Sequence, residues 1–267
     1  MSLKNSSVKI KIPKLLQEKL NIKKIGQIYK KFEKTLNIKE DFIVAVSGGP
    51  DSLALAFLAK IYSIKNRIKS NYFIIDHKLR PESTKEAKIV KNILKKYLIN
   101  SEILTWKGKK PHKNIQSLAR KKRYELLFGQ CDKLKTNNIL LGHHRDDLFE
   151  NFFIRILRGS GLKGLISFDK KRTFVNKNLL RPLLSQKKED LLFLSKTVFN
   201  FYVQDPTNED EKYQRIKVRK LIKELKKNGL DEKKFFKTIE NLKSSNIVID
   251  HYVRQNLLKN TFYLNKK

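Results

Sequence analysis

Four short apolar runs, each followed by a stretch with helical spacing, constrain this 267-residue chain more than any other feature. The runs are FIVAVS (42–47), NYFIID (71–76), SEILTW (101–106) and NNILLGH (137–143). Helical stretches follow them at about 51–64, 82–97, 115–134 and 146–157. Strands without polar alternation need cover on both faces, and a helix between successive strands returns the chain so that they pair in parallel. The expected fold is therefore α/β, a doubly wound parallel sheet. Residues 172–184 read as one further strand of poor periodicity. Beyond 213 the spacing turns helical, with Phe235, Ile239 and Leu242, then Tyr252, Val253 and Leu257, along one stripe. The expected divisions are a basic, marginally structured N-terminal extension (1–24), a catalytic domain (25–210) and a small C-terminal helical appendage (211–267).

Charge narrows the class of partner. Lys and Arg number 60 against 26 Asp and Glu, a net charge of +34, which attracts a polyanion, nucleic acid first. A lysine-biased genome contributes to the excess but does not account for all of it. The single cysteine, Cys131, excludes a disulfide framework and any two-thiol relay. No apolar run approaches the roughly 20 residues that span a bilayer, and the first residues lack a secretory pattern. The expectation is a cytoplasmic protein without a membrane partner; a second copy of the chain is a candidate partner.

Polar residues gather where the first, second and fourth strands end. Ser47-Gly48-Gly49-Pro50-Asp51-Ser52 follows the first, Asp76-His77 the second, and His143-His144-Arg145-Asp146-Asp147 the fourth. In open parallel sheets ligands bind beyond the carboxyl ends of the strands, so these turns share one rim. Gly48 and Gly49 permit positive φ and leave backbone N–H groups able to face an anion. A helix from about Asp51 adds its positive end, Ser47 and Ser52 add hydroxyls, and Pro50 suits helix entry. Neither the Lys-Ser/Thr of a Walker loop nor a G-x-G-x-x-G fingerprint is present. A tight Gly-Gly turn capped by Asp51 or Ser52 is the plain structural alternative.

The string SGGPDS after a strand resembles the PP-loop of the ATP pyrophosphatases, with their adenine nucleotide alpha hydrolase-like fold. Further strings resemble the tRNA(Ile)-lysidine synthetases: IDHKLRPES (75–83), NIQSLARKKRYELL (114–127), LGHHRDDLFENFFIRILRGSGLKGL (141–165), RPLL (181–184), DPTN (205–208) and RIKVRKLI (215–222). The resemblance implies two steps. ATP adenylates the carbonyl oxygen of the wobble cytidine in an isoleucine tRNA with a CAU anticodon. The ε-amine of free lysine then displaces AMP, leaving lysidine.

On that resemblance Ser47, Gly48, Gly49, Pro50, Asp51 and Ser52 hold the nucleotide. Asp51 would repel phosphate directly, so it holds Mg²⁺, which favours carboxylates with phosphate oxygens. Asp147 would contact the metal or the substrate lysine, and His144 and Arg120 would join Asp51 and Asp147 in catalysis. Which of His143, His144, Asp146 and Asp147 handles the lysine proton stays open, and Asp146 is equally a candidate N-cap. Arg120 and Arg123 lie three apart on one helix face, and either a solvated basic face or RNA contact accounts for them. Arg158, Arg215 and Arg219 are the remaining candidates for RNA. Family members often carry substantial further C-terminal domains, where this chain has a helical tail. Two alternatives compete: another PP-loop tRNA modifier, such as a thiolase, and a noncatalytic RNA-binding module on a nucleotide fold. The first usually needs paired cysteines or an iron–sulfur ligand set.

Overall fold

The computed structural model describes residues 12–108, 115–204 and 214–261. Asn114 and all of DPTN therefore lie outside the described residues, as does the start of the basic extension. Two compact units divide the chain: Met1–Asp147 with Lys170–Asp205, and Leu148–Asp169 with Pro206–Lys267.

The first unit is built on six strands: β1 (Phe42–Val46), β2 (Ser70–Asp76), β3 (Ser101–Thr105), β4 (Asn138–Leu140), β5 (Lys171–Phe174) and β6 (Lys177–Leu180). Their order across the sheet is β3-β2-β1-β4-β6-β5, parallel except where β5 runs against β6. Helices α1 (Lys14–Leu20), α2 (Lys23–Leu36), α3 (Pro50–Asn66), α4 (Ser83–Lys96), α5 (Ile115–Lys133) and α8 (Lys188–Phe199) belong to the same unit. Side chains alternate across a strand, and both faces are buried here. Phe42, Val44, Val46, Tyr72, Ile74, Leu140 and Leu180 join the core formed with α1–α4 and α8. Ile43, Phe73, Ile139, Leu141 and Leu179 pack instead with Leu127 and Cys131 of α5.

This winding creates one special place. From β1 the chain passes outward to β2 and β3, then returns across β1 to begin β4 on its other side. The carboxyl ends of β1 and β4 therefore diverge at a topological switch point, the usual crevice for a ligand in such sheets.

Three local expectations are revised. Residues 14–20 form α1 instead of a marginal extension; Leu16 is fully buried, and Lys19 Nζ donates to the Thr197 carbonyl at 3.0 Å. Pro13 stands immediately before that helix, where a missing N–H costs nothing, so it punctuates the chain instead of breaking it. The further strand expected at 172–184 is a hairpin, turned at Val175 and Asn176 with φ of 46° and 61°. All four residues of β5 are exposed, which explains the poor hydrophobic period. Helix α8 escaped notice although Leu191, Leu194, Ser195 and Val198 follow i, i+3, i+4, i+7 and are buried.

The second unit contains most of α6 (Arg145–Ile156), with α7 (Leu162–Leu165), α9 (Gln214–Lys227) and α10 (Glu232–Asn260). Residues 148–169 thus cluster with the C-terminal helices, whereas the sequence reading put one boundary near 210. Phe235 is the hub of its packing. The ring lies 4.9 Å from Phe149, 5.3 Å from Phe152 and 5.2 Å from Phe153, edge-on to the first two and stacked on the third. Lys243 pairs with Asp169 at 2.9 Å and Lys163 with Asp250 at 2.7 Å, tying the ends of the unit together.

Candidate active site

The loop after β1 closes on one hydroxyl. Ser52 Oγ donates to the Gly49 carbonyl at 2.9 Å and accepts from the Ser47 N–H at 3.1 Å, with Ser47 Oγ at 3.2 Å. Helix α3 then starts with Pro50 in its first turn and Gly49 before it, so no side chain caps its leading N–H groups. They are left for an anion, with the helix dipole behind them. Neither Asp51 nor Ser52 serves as the cap, since both lie inside the helix.

The two glycines differ. Gly48 has φ +84°, and a Cβ there would sit 2.7 Å from Val90 Cγ2 and 2.9 Å from Val203 Cγ2. Gly49 has φ −69°, ordinary for any residue, and an added Cβ would meet only Ser47 Oγ at 3.7 Å. The expectation of positive φ therefore holds for Gly48 alone. Val203 fixes the same turn by donating its N–H to the Gly48 carbonyl at 2.9 Å.

Beyond β4 the chain runs against the first turn of α3. Gly142 makes that approach possible, because a Cβ on it would lie 3.1 Å from Ser52 N and 3.2 Å from Asp51 C. The sequence pattern alone gives this glycine no role. Next comes His144, 5% exposed, placed between the two carboxylates of the site. Its Nε2 lies 3.5 Å from Asp51 Oδ2 and 3.6 Å from Asp147 Oδ2. The turns after β1 and β4 thus share one imidazole.

His144 also starts α6. Its Nδ1 accepts the Asp146 N–H at 3.2 Å, while Asp147 Oδ2 accepts the His144 N–H at 2.9 Å. This reciprocal cap makes His144, and not Asp146, the residue that satisfies the helix start. With Nδ1 engaged as acceptor, the ring proton stands on Nε2, facing the carboxylates. Burial alone would lower the imidazole pKa. The Asp51 hydrogen bond and the charges of Asp147, Asp51 and Asp146 oppose burial and pull the value upward. The Asp146 amide checks that pull, since a doubly protonated ring could not accept from it.

A cation has a place here. Asp51 Oδ1 is sealed from solvent and has no hydrogen-bond partner. Among the described residues no three His, Cys, Asp or Glu side chains are grouped to hold a metal by themselves. A magnesium ion that took its other ligands from nucleotide phosphates and water would suit such a sparse donor set, with Asp51 as the carboxylate towards it.

Basic residues surround the neighbouring His143. Burial, with the guanidiniums of Arg181, Arg120 and Arg123, drives its pKa down to about 3 against the opposing pull of Asp147. Arg120 and Arg123 of α5 therefore lie within electrostatic reach of His143, at the carboxyl rim of the sheet. Arg120 packs over the Tyr124 ring, 5.2 Å from its centroid. Arg181, directly after β6 and 2% exposed, belongs to the same group. Its signal in the sequence is a charged residue at the end of an apolar strand, within RPLL.

The three remaining candidate arginines, Arg158, Arg215 and Arg219, lie in the second unit. Arg219 donates Nε to Glu150 Oε1 at 2.6 Å and Nη2 to Oε2 at 3.3 Å. That pairing is structural, and the sequence reading missed the buried Glu150. Arg158 Nη2 donates to Gln214 Oε1 at 3.0 Å, and Arg215 is exposed on α9. Cys131 is buried, its thiol pushed up to about 11 chiefly by burial, which makes it a poor nucleophile. No described helix is long and apolar enough to cross a membrane.

Comparison with known proteins fits this geometry. The tRNA(Ile)-lysidine synthase of Orientia tsutsugamushi is 42% identical over 183 residues, covering 68% of this chain and 41% of that protein. The synthase of the same name from the Wolbachia of Brugia malayi is 36% identical over 217 residues, 79% of this chain and 49% of its own. That of Bradyrhizobium diazoefficiens is 32% identical over 210 residues, 78% and 58%. The chain spans about half the length of these curated relatives. The U34-tRNA thiolase NcsA of Methanococcus maripaludis, with its [4Fe-4S] cluster, superposes with a TM-score of 0.70 at 18% identity, covering 83% of this chain and 78% of that one. At that identity the likeness concerns the fold. The family described as the PP-loop domain matches residues 17–225, from α1 into α9, and this chain belongs to the PP-loop domain family.

Proposed function

We propose that this chain carries out ATP-dependent joining of free lysine to the wobble cytidine of an isoleucine tRNA with a CAU anticodon, forming lysidine. The observation that carries the reading is the meeting of Asp51 and Asp147 at His144, which joins the phosphate loop of β1 to the turn after β4. The 32–42% identity to proteins named tRNA(Ile)-lysidine synthase supplies the substrate class.

The chemistry has two halves. The cytosine carbonyl oxygen attacks the α-phosphorus of ATP, forming an oxygen–phosphorus bond, and pyrophosphate departs with the electron pair. Ser47, Gly48, Gly49 and Ser52, backed by the start of α3, hold the departing group. A bound magnesium ion would supply charge neutralisation to the phosphates. The lysine ε-amine then attacks the activated ring carbon and AMP leaves. An ammonium has no lone pair, so it must first pass a proton to a base; the Asp147 carboxylate holds the substrate nitrogen and takes that proton, while His144 Nε2–H lies between Asp147 and Asp51. Arg120, Arg123 and the exposed basic surface serve the RNA phosphates, with Arg158 and Arg215 as further contacts. Arg219 supports that surface through Glu150. A cytoplasmic location accords with these substrates, and a second copy of the chain remains a candidate partner, which sedimentation would count.

A thiolase-type reaction is not favoured. The one cysteine is buried, and three or four thiolates are the ordinary ligands of an iron–sulfur cluster. The deciding experiment supplies ATP, Mg²⁺, lysine and unmodified isoleucine tRNA, then weighs the digested nucleosides. A cytidine heavier by lysine less water supports the proposal; cytidine left unmodified, while a control enzyme in a parallel reaction modifies the same tRNA, contradicts it.

A further inference from the structure

His77 follows Asp76 at the carboxyl end of β2, the strand beside β1. Its backbone is held on both sides. The buried Asp76 carboxylate accepts from the Lys78 N–H at 2.9 Å, Ser83 Oγ at 2.8 Å and Thr84 Oγ1 at 2.6 Å. The Asp76 carbonyl accepts the Trp106 N–H at 2.9 Å. Asp76 is thus a clamp for the turn, already saturated by its neighbours. The His77 ring meets Trp106 edge to face, centroids 6.3 Å apart and planes at 89°.

Its nitrogens stand out. Both Nδ1 and Nε2 are sealed from solvent, and neither has a hydrogen-bond partner. Each gives up a bond to water on folding and gains nothing from the protein, a cost a phenyl ring against Trp106 would avoid. A rigidly mounted ring with two unused nitrogens, at the rim where ligands bind, is arranged for a molecule that arrives later.

We propose that His77 reads the amino edge of a nucleobase through a hydrogen bond from one of these nitrogens. The charges around it narrow the ligand. Burial and the Arg123 guanidinium hold the imidazole pKa down at about 4, against the pull of Asp76, so the ring is neutral and offers one donor and one acceptor. Arg123 opposes an ammonium here, and a phosphate already has its own cradle at Ser47–Ser52. A neutral, planar group bearing both a donor and an acceptor fits. Every nucleobase has such an edge; adenine and cytosine, the two bases that the proposed reaction brings to this rim, present an exocyclic amine beside a ring nitrogen. The inference rests on the reading that ATP and a cytidine meet at this rim, and either base is its source.

Two variants test it: His77→Phe, which keeps the packing and removes both nitrogens, and His77→Asn, which restores one donor and one acceptor. For each, the melting temperature is measured, along with equilibrium binding of ATP, GTP and anticodon stem–loop RNA carrying cytidine or uridine at the wobble position. His77→Phe is expected to melt at or above the parent temperature and to lose about tenfold in one affinity, the worth of one hydrogen bond. His77→Asn should recover most of that loss. Weakened ATP binding with GTP unchanged assigns adenine. Weakened binding of the cytidine RNA, with its margin over the uridine RNA erased, assigns cytosine. Unchanged affinities for both ligands overturn the proposal, and a lowered melting temperature alongside them identifies a histidine bonded to ordered water. Because these readouts need no turnover, failure to form lysidine would overturn the reaction above while leaving this binding role standing.

Discussion

Gly142 passes so close to the first turn of α3 that a Cβ on it would stand 3.1 Å from the Ser52 amide nitrogen. That contact seats the end of β4 against the start of the phosphate loop's helix, and it puts His144 within reach of Asp51. Gly142→Ala should separate the two turns by a few tenths of an ångström. The expected outcome is a fold that survives, losing about 1–2 kcal/mol in denaturant, with ATP turnover falling by up to about tenfold. Parallel denaturation and single-turnover assays check this; unchanged turnover would show that the spacing does not matter.

Gly48→Ala should be harsher on stability. The residue needs φ +84°, and its new methyl would press on Val90 and Val203, both β-branched and stiff. A loss of about 2–4 kcal/mol is expected, against less than about 1 kcal/mol for Gly49→Ala, whose backbone is ordinary. Urea midpoints for the pair decide it, and equal losses would contradict the assignment.

These glycines show what was legible in the sequence and what was not. A parallel sheet and a shared rim follow from FIVAVS, NYFIID and NNILLGH, because strand periodicity and the rule for open sheets are local and general. The convergence of Asp51 and Asp147 was therefore predictable from their places after β1 and β4. How they converge was not. That His144 caps α6 and faces both carboxylates depends on a rotamer, and that Gly49 has negative φ depends on where α3 begins. The α1 helix was hidden by Pro13, and the β5–β6 hairpin by the exposure of Lys171–Phe174. Glu150 reads as another surface acid of α6 until Arg219, 69 residues later, is found beside it.

The Arg219–Glu150 pair predicts a stability effect without a direct effect on chemistry. Arg219→Ala removes a two-point contact to a buried carboxylate, and a loss of about 2–3 kcal/mol is expected from denaturation. Arg219→Lys should recover only part of it, because an ammonium cannot engage both oxygens at once. Full recovery by lysine would argue that charge alone matters.

His77 makes stability depend on pH with a definite sign. Its folded pKa of about 4 lies below the ordinary 6.5, so the unfolded chain binds the proton more readily. The contribution is whole above pH 6.5 and is lost as the pH falls toward 4, at up to about 1.4 kcal/mol per pH unit. His77→Phe should flatten the wild-type curve by one proton's worth across that window. Identical pH slopes in the two proteins would contradict a neutral, buried imidazole.

The most direct test of the shared site is the identity of the nucleotide product. With α-labelled ATP, Mg²⁺ and isoleucine tRNA, a site built around Ser47–Ser52 and Asp51 should release pyrophosphate and yield AMP, in amounts that depend on the tRNA and rise when lysine is added. Asp51→Ala should abolish both while leaving RNA binding largely intact. Release of ADP and phosphate instead, or AMP formation indifferent to Asp51, would contradict the account.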